Sequence, residues 1–263
     1  MKDKQGYIIP AVNSADTDYV ACAITLAKSL RHWHPNVKIC LLTDQPIDHP
    51  LFDYVQILPY GDQGGWANDW QVFTASPFHE TIKLEADTIV TSPIDHWWTM
   101  FRHRDVCFSI GCLDYQDQES NNRTYRRVFD ANNLLDVYNA VTYWRFSREA
   151  KEFFDTVRNI FTNWDQYVSQ LKQAQNEPAS TDLVYAIAAE LLGREKFYIP
   201  NATYPKIVHM KPAILGIQAS DWTKELVWEL VNGEFRLNGH SQHGLVHYHQ
   251  KHLAQEFYDR YTD

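Results

Sequence analysis

The sequence predicts an α/β domain organised on a parallel sheet, with a C-terminal extension lying over it. Three observations carry this expectation. Short β-type runs and an amphipathic helix follow one another in the order of a parallel-sheet unit. Polar or acidic residues, Asn13, Asp44 and the pair Glu85 and Asp87, stand at the ends of those runs, where ligands of such sheets gather. Periodicity then weakens after Gly216. A chain of 263 residues buries a sizeable core as one domain, so we expect residues 1–215 to form it and residues 216–263 to pack on it.

Residues 6–12 read as a buried first strand, and residues 13–17 as a polar turn whose last members cap a helix. Val20, Ala23, Ile24, Ala27 and Leu30 fall at i, i+3, i+4, i+7 and i+10, an apolar stripe that packs on a sheet, and Pro35-Asn36 ends the helix. Residues 37–43 and 54–58 are the next β-type runs. A glycine-containing loop over 61–68 leads into a short helical stretch through Trp70 and Phe73. Residues 82–90 read as a single apolar strand, followed by a helix from Ile94 and a strand over 106–113. Residues 114–133 are polar and poor in aliphatics, a solvated loop or a lid. Residues 137–144 are β-rich, 148–161 helical, 182–192 helical with Thr181 as cap, and 207–209 form a last short strand.

The stretch at 82–90 carries the first chemistry. Strand side chains alternate between faces, so an extended backbone projects Glu85 and Asp87 from one side and Ala86 from the other. Two hard oxygen donors so placed suit a divalent cation. Alone, such a tripeptide is more often an acidic turn after a buried strand.

Composition limits the other classes. A net charge of −9 argues against broad, sequence-independent binding to polyanions, which draws its free energy from Lys and Arg neutralising phosphates. Nine Trp, fifteen Tyr and thirteen Phe make the chain aromatic-rich, which suits sugar rings and bases and also fills cores. Cys22, Cys40, Cys107 and Cys112 form no C-x-x-C pair and read as reduced core thiols. The N-terminus lacks the apolar run of a signal peptide and no stretch approaches membrane-spanning length, so we expect a cytoplasmic protein without a membrane partner. His240, His243, His247, His249 and His252 crowd the tail, as structural histidines, substrate contacts or, without a cysteine among them, a zinc site.

Five stretches follow in a fixed order. They are Pro10-Ala11-Val12-Asn13 with Asp18-Tyr19 and Ala27-Lys28-Ser29-Leu30-Arg31, then Leu84-Glu85-Ala86-Asp87-Thr88-Ile89-Val90, Tyr138-Asn139-Ala140-Val141, Thr181-Asp182, and Val208-His209-Met210-Lys211-Pro212. Over residues 6–212 this order resembles the GT-A glycosyltransferases, most closely the family-8 branch that includes glycogenin and the bacterial lipopolysaccharide galactosyl- and glucosyltransferases. The resemblance implies a Rossmann-like, mixed, mainly parallel sheet flanked by helices, and a metal-dependent, retaining transfer from a nucleoside-diphosphate sugar, UDP-sugar favoured, to a hydroxyl. It implies that Val12, Asn13 and Tyr19 hold the nucleotide and that Lys83 and Ala86 are further donor contacts. Asp87 then binds Mn²⁺ or Mg²⁺, Glu85 reaches the metal or the ribose, and His209 supplies a third ligand. Lys211 assists the diphosphate, Asn139 lines the donor-sugar pocket, and Asp182 positions the sugar. The chain departs from the pattern where Glu85 replaces an Asp, Ala140-Val141 replaces Ser-Gly, Gln71 stands near the place of a donor-contacting Lys, and no Gly separates His209 from Lys211.

Such residue types recur because a departing nucleoside diphosphate concentrates negative charge, which a divalent cation and a lysine offset. The tail more weakly resembles glycosyltransferases encoded by tailed phages, which implies a hydroxymethylated pyrimidine in DNA as one acceptor beside glycans and proteins. Arg102, Arg104, Arg123, Arg126 and Arg127 would then follow a phosphate backbone, or else they are solvated or internally paired. Two other functions stay open. A nucleotidyltransferase also pairs carboxylates at a strand end, although residues 13–16 lack the glycine of a phosphate-binding loop. A non-catalytic nucleotide- or carbohydrate-binding protein would explain Glu85 and the missing Ser-Gly.

Overall fold

The structure is a computed structural model that describes residues 2–58, 66–120, 125–199, 205 and 207–261, without the side chains of 66–68. Arg123 and most of the predicted 61–68 loop lie outside the described residues.

In chain order the strands are β1 (Asp3–Pro10), β2 (Ile39–Thr43), β3 (Tyr54–Ile57), β4 (Phe78–Leu84), β5 (Thr88–Val90), β6 (Val106–Ile110), β7 (Val137–Arg145), β8 (Ile207–His209), β9 (Trp228–Val231), β10 (Glu234–Leu237), β11 (His240–Ser241) and β12 (Leu245–His247). The α-helices are α1 (Tyr19–Trp33), α2 (Val72–Ala75), α3 (His96–Phe101), α4 (Arg127–Asn132), α5 (Arg148–Thr162), α6 (Trp164–Val168), α7 (Thr181–Leu192), α8 (Pro212–Leu215) and α9 (Ala254–Arg260).

The main sheet has the order β3-β2-β1-β4-β7-β6. It is parallel from β3 to β4, and β7 runs antiparallel to both of its neighbours. This is the expected mixed, mainly parallel sheet. Strand alternation builds a core on each face: Ile9, Leu41 and Ile82 pack with Leu26 and Leu30 of α1, while Ile8 and Leu42 pack with Phe153 of α5 and Tyr185 of α7. All four cysteines are buried and free. Among the described residues no helix is long and apolar enough to cross a membrane.

β1 starts earlier than the apolar run because Asp3 and Gln5 pair in register with Phe78 and Glu80. Asp18 rather than the preceding turn caps α1, its Oδ1 accepting from Ala21 N–H at 3.0 Å. Ser180 caps α7 in place of Thr181.

One correction matters for chemistry. Residues 82–90 do not form one strand: β4 ends at Leu84, Ala86 and Asp87 lie in a turn, and β5 enters a different sheet. Both halves are apolar and buried, so hydrophobicity alone does not separate them.

That second sheet has the order β5-β12-β8. β12, from the C-terminal stretch, is its central strand, antiparallel to β5 and parallel to β8. Trp222, Phe235, Val246 and Phe257 join Ile9 and Leu26 in one core. β9, β10 and β11 form a separate antiparallel sheet.

Candidate functional site

A cleft of 680 Å³ opens at the C-terminal ends of the parallel strands. Its near end is bordered by Val12, Asn13 and Tyr19, its floor by Asp69, Lys83, Glu85, Ala86 and Asp87, and its far wall by His209, Lys211, His247, His249 and Lys251.

The turn between β4 and β5 aims the acidic residues. Glu85 N–H donates to Ala140 O at 3.1 Å, prolonging the β4–β7 ladder by one residue. Thr88 Oγ1 then closes the turn on Glu85 O at 2.7 Å. Asp87 O accepts from Tyr248 N–H at 3.2 Å, so Asp87 is clamped against the segment that follows β12. The two carboxylates therefore meet through a turn and a shared partner, not through strand alternation.

That partner is His247. Its Nε2 is 2.9 Å from Asp87 Oδ2 and its Nδ1 is 3.4 Å from Glu85 Oε2. Lys251 Nζ also reaches Asp87 Oδ2 at 2.8 Å. Asp87, His247 and His249 each present a ligand atom, all within 4.8 Å of one another. His209 stands alongside, its ring stacked on His247 with centroids 4.3 Å apart. His249 holds this position with φ of +64°, left-handed backbone that a side chain rarely adopts.

The charges are tightly coupled. Burial pushes the Glu85 carboxyl up to about 7, against the pull of His247. Burial would also raise Asp87, but His247 and Lys251 outweigh it and hold this carboxyl well below the usual range. His247 is raised, because Asp87 overcomes the effect of burial. His249 is lowered to about 4 by burial and the nearby Lys251, and His209 is lowered by burial and the two histidines beside it. Neutral His209 and His249 and ionised Asp87 are thus ready donors for a cation.

Other predicted residues take different places. Asn13 Oδ1 accepts from Val20 N–H at 3.0 Å, securing the first turn of α1 beside the cleft. Lys211 Nζ sits 4.6 Å from the Tyr125 ring centre. Asn139 and Asp182 are in the wall behind the lining. Asn139 N–H donates to Asp182 Oδ1 at 2.8 Å, and Arg126 Nη1 donates to Asp182 Oδ2 at 3.0 Å. Arg102 and Arg126 do not line the cleft. Arg126 is 4% exposed and also paired with Asp136, while Arg102 pairs with Glu80 and Gln5 toward the opposite end of β4. Arg126 is buried, so its charge must be paired, whereas Arg102 forms an exposed surface pair.

No family model and no curated relative matches the chain. Solved structures do resemble it. The galactosyltransferase LgtC, crystallised with donor and acceptor sugar analogues, matches 98% of this chain and 96% of its own at 12% identity and a TM-score of 0.56. An active-site mutant of LgtC gives a TM-score of 0.59 at the same identity and coverage. The fold is the GT-A glycosyltransferase fold. GlyE from Streptococcus pneumoniae TIGR4 matches 97% of this chain with a TM-score of 0.52 and 11% identity, and this chain spans 60% of GlyE.

On the GT-A frame, sequence reasoning left His247 and His249 within a general histidine cluster and passed over Lys251. The sequence held a spacing signal in His247-x-His249-x-Lys251, although β12 ends at His247 and His249 has left-handed backbone, so a turn and not strand alternation aims them. Of the other tail histidines, His240 packs edge-on to Tyr115 and His252 lies 3.7 Å from Asp221, apart from the cleft.

Proposed function

We propose that this chain is a metal-dependent glycosyltransferase that moves a sugar from a nucleoside-diphosphate sugar, first of all a UDP-sugar, to a hydroxyl with retention of configuration. The convergence of Asp87, His247 and His249 where the floor of a GT-A cleft meets its far wall carries this reading. One carboxylate and two imidazoles fit Mn²⁺ better than Mg²⁺, which prefers an all-oxygen shell. Bound there, the cation supplies charge neutralisation for the departing diphosphate.

The chain's own residues do the rest. Lys251 and Lys211 line the cleft and supply the ammonium groups that hold phosphate oxygens. Val12, Asn13 and Tyr19 seat the nucleotide, with Ala86 lining the floor beside it. Glu85 steadies His247 through Nδ1 or meets the ribose, and His209 buttresses the other face of that ring. Asp182 and Asn139 fix the wall of the sugar pocket through their mutual hydrogen bond. The acceptor hydroxyl belongs to a DNA base, a glycan or a protein; the pairing of Arg102 and Arg126 within the chain removes two of the arginines that favoured DNA.

The test is incubation with Mn²⁺ and a panel of UDP-, GDP- and ADP-sugars, with hydroxymethylated DNA, oligosaccharide and protein as acceptors. We expect release of nucleoside diphosphate that chelation abolishes and that Asp87→Ala lowers by about 100-fold or more. Full activity in Asp87→Ala would refute the metal role. Tight binding without turnover would indicate a binding protein, and pyrophosphate release from a nucleoside triphosphate a nucleotidyltransferase. A mass increment identifies the acceptor, and the anomer seen by NMR tests retention.

A further inference from the structure

A lysine within a central strand is the least expected residue of the cleft. Lys83 lies between β1 and β7 in the sheet, and its side chain is 3% exposed. Its Nζ donates to Asp69 Oδ1 at 2.8 Å, and Asp69 is itself 8% exposed. Asp69 Oδ2 accepts from the buried Tyr185 hydroxyl and, at 3.4 Å, from Asn139 Nδ2. The pair is therefore held from β4, β7 and α7 at once. Both members line the 680 Å³ cleft, and Lys83 precedes Glu85, another lining residue, by two positions.

Burying such a pair is costly unless its remaining hydrogen-bonding capacity is met. An ammonium has three N–H donors, of which Asp69 takes one, and an ionised carboxylate has about four acceptor positions, of which three are taken. What faces the cleft is a donor surplus next to a residual acceptor, with no net charge. A phosphate finds no advantage there, since Asp69 cancels the attraction of Lys83 and repels it. A sugar hydroxyl both accepts and donates, and two hydroxyls on neighbouring ring carbons span a distance similar to that between Nζ and Oδ1.

We propose that Lys83 and Asp69 read adjacent hydroxyls of the donor sugar, so that the site takes a neutral hexose with a free vicinal diol. This rests on the glycosyltransferase reading above. It makes Lys83 a sugar-selecting residue, while the diphosphate is left to Lys211 and Lys251.

The experiment is calorimetry in Mn²⁺ with the full chain. UDP-, GDP- and ADP-glucose first fix the nucleotide. Dissociation constants are then compared for that diphosphate alone, its glucose and galactose conjugates, and their 3-deoxy and 4-deoxy analogues. In the unaltered protein we expect at least one deoxy analogue to bind about tenfold or more weakly than its parent. In the isosteric double variant Lys83→Met/Asp69→Asn that ratio falls to about one, with affinity for the diphosphate alone held within about threefold. Unchanged discrimination in the double variant overturns the proposal, as does a matching loss of diphosphate affinity. Should the double variant not fold, equal dissociation constants for parent and both deoxy donors in the unaltered protein overturn it alone. Failure to bind any nucleotide sugar refutes the glycosyltransferase reading and this inference with it, whereas binding with no hydroxyl discrimination refutes the inference only.

Discussion

His209 and His247 lie opposite one another in the parallel pairing of β8 with β12, and their rings stack at 4.3 Å with planes 23° apart. On its other side His247 pairs with Thr88, the residue after Asp87. β12 is thus the strand that brings imidazole to the acidic turn, and β8 stands one strand further away. We expect His247→Ala to weaken Mn²⁺ binding about tenfold or more, and His209→Ala only about two- to threefold. Titration of free Mn²⁺ by electron paramagnetic resonance measures both, and the reverse order would assign the ligand to His209.

His249 trades stability for position. Its φ of +64° costs a side-chain-bearing residue about 1–2 kcal/mol. In the presence of chelator His249→Gly should stabilise the fold by about 1 kcal/mol, and His249→Ala should gain little, because alanine keeps the strain. Both should lose Mn²⁺ affinity. Urea denaturation beside a metal titration separates the two effects.

The acidic turn should make the metal-free protein sensitive to pH. Burial raises Glu85 from its ordinary 4.5 to about 7, so the folded state holds this proton more tightly than the unfolded state. The resulting stabilisation is full below the ordinary value and is lost as pH rises through about 7. Asp87 has the opposite sign, being held low, and its contribution is lost only in acid. With chelator present, the stability of the unaltered protein relative to Glu85→Gln should fall from about pH 5 to about pH 8, while His209 and His249, kept neutral by burial, add the opposite trend to both proteins as pH rises toward their ordinary value. With Mn²⁺ the trend in affinity is upward over the same range, because the cation competes with protons on Glu85 and His247. Denaturation and binding curves at several pH values check both signs.

Gly6 is where β1 meets the fully buried ring of Phe78. A Cβ there would lie 2.4, 2.5 and 2.6 Å from three atoms of that ring. The Phe78 ring is fully buried and must shift to admit a methyl group, so Gly6→Ala should cost about 2–3 kcal/mol by overpacking. Combining it with Phe78→Leu should restore part of the loss, a non-additivity measurable by a double-mutant cycle on thermal melts.

Much of the fold is legible in local pattern. Ile8 and Ile9 fall on opposite faces as period-two alternation requires, and Leu26 and Leu30 bury the stripe of α1. Such features depend on residues a few positions apart, and sequence displays them directly. The turn at Ala86 and Asp87 was not legible, because a buried run reads the same whether its two halves enter one sheet or two.

Local pattern in the sequence specified the parallel-sheet frame and drew attention to Glu85 and Asp87. Tertiary structure alone decided which groups stand beside them. Ile207-Val208-His209 and Leu245-Val246-His247 are two short apolar strands ending in histidine, and nothing local says which one pairs with β5. Lys83 and Asp69 likewise carry no mutual signal in the chain. Strand pairing and buried ion pairing between distant segments are settled by how the whole core closes, since only there do desolvation and backbone hydrogen bonding select one partner over another.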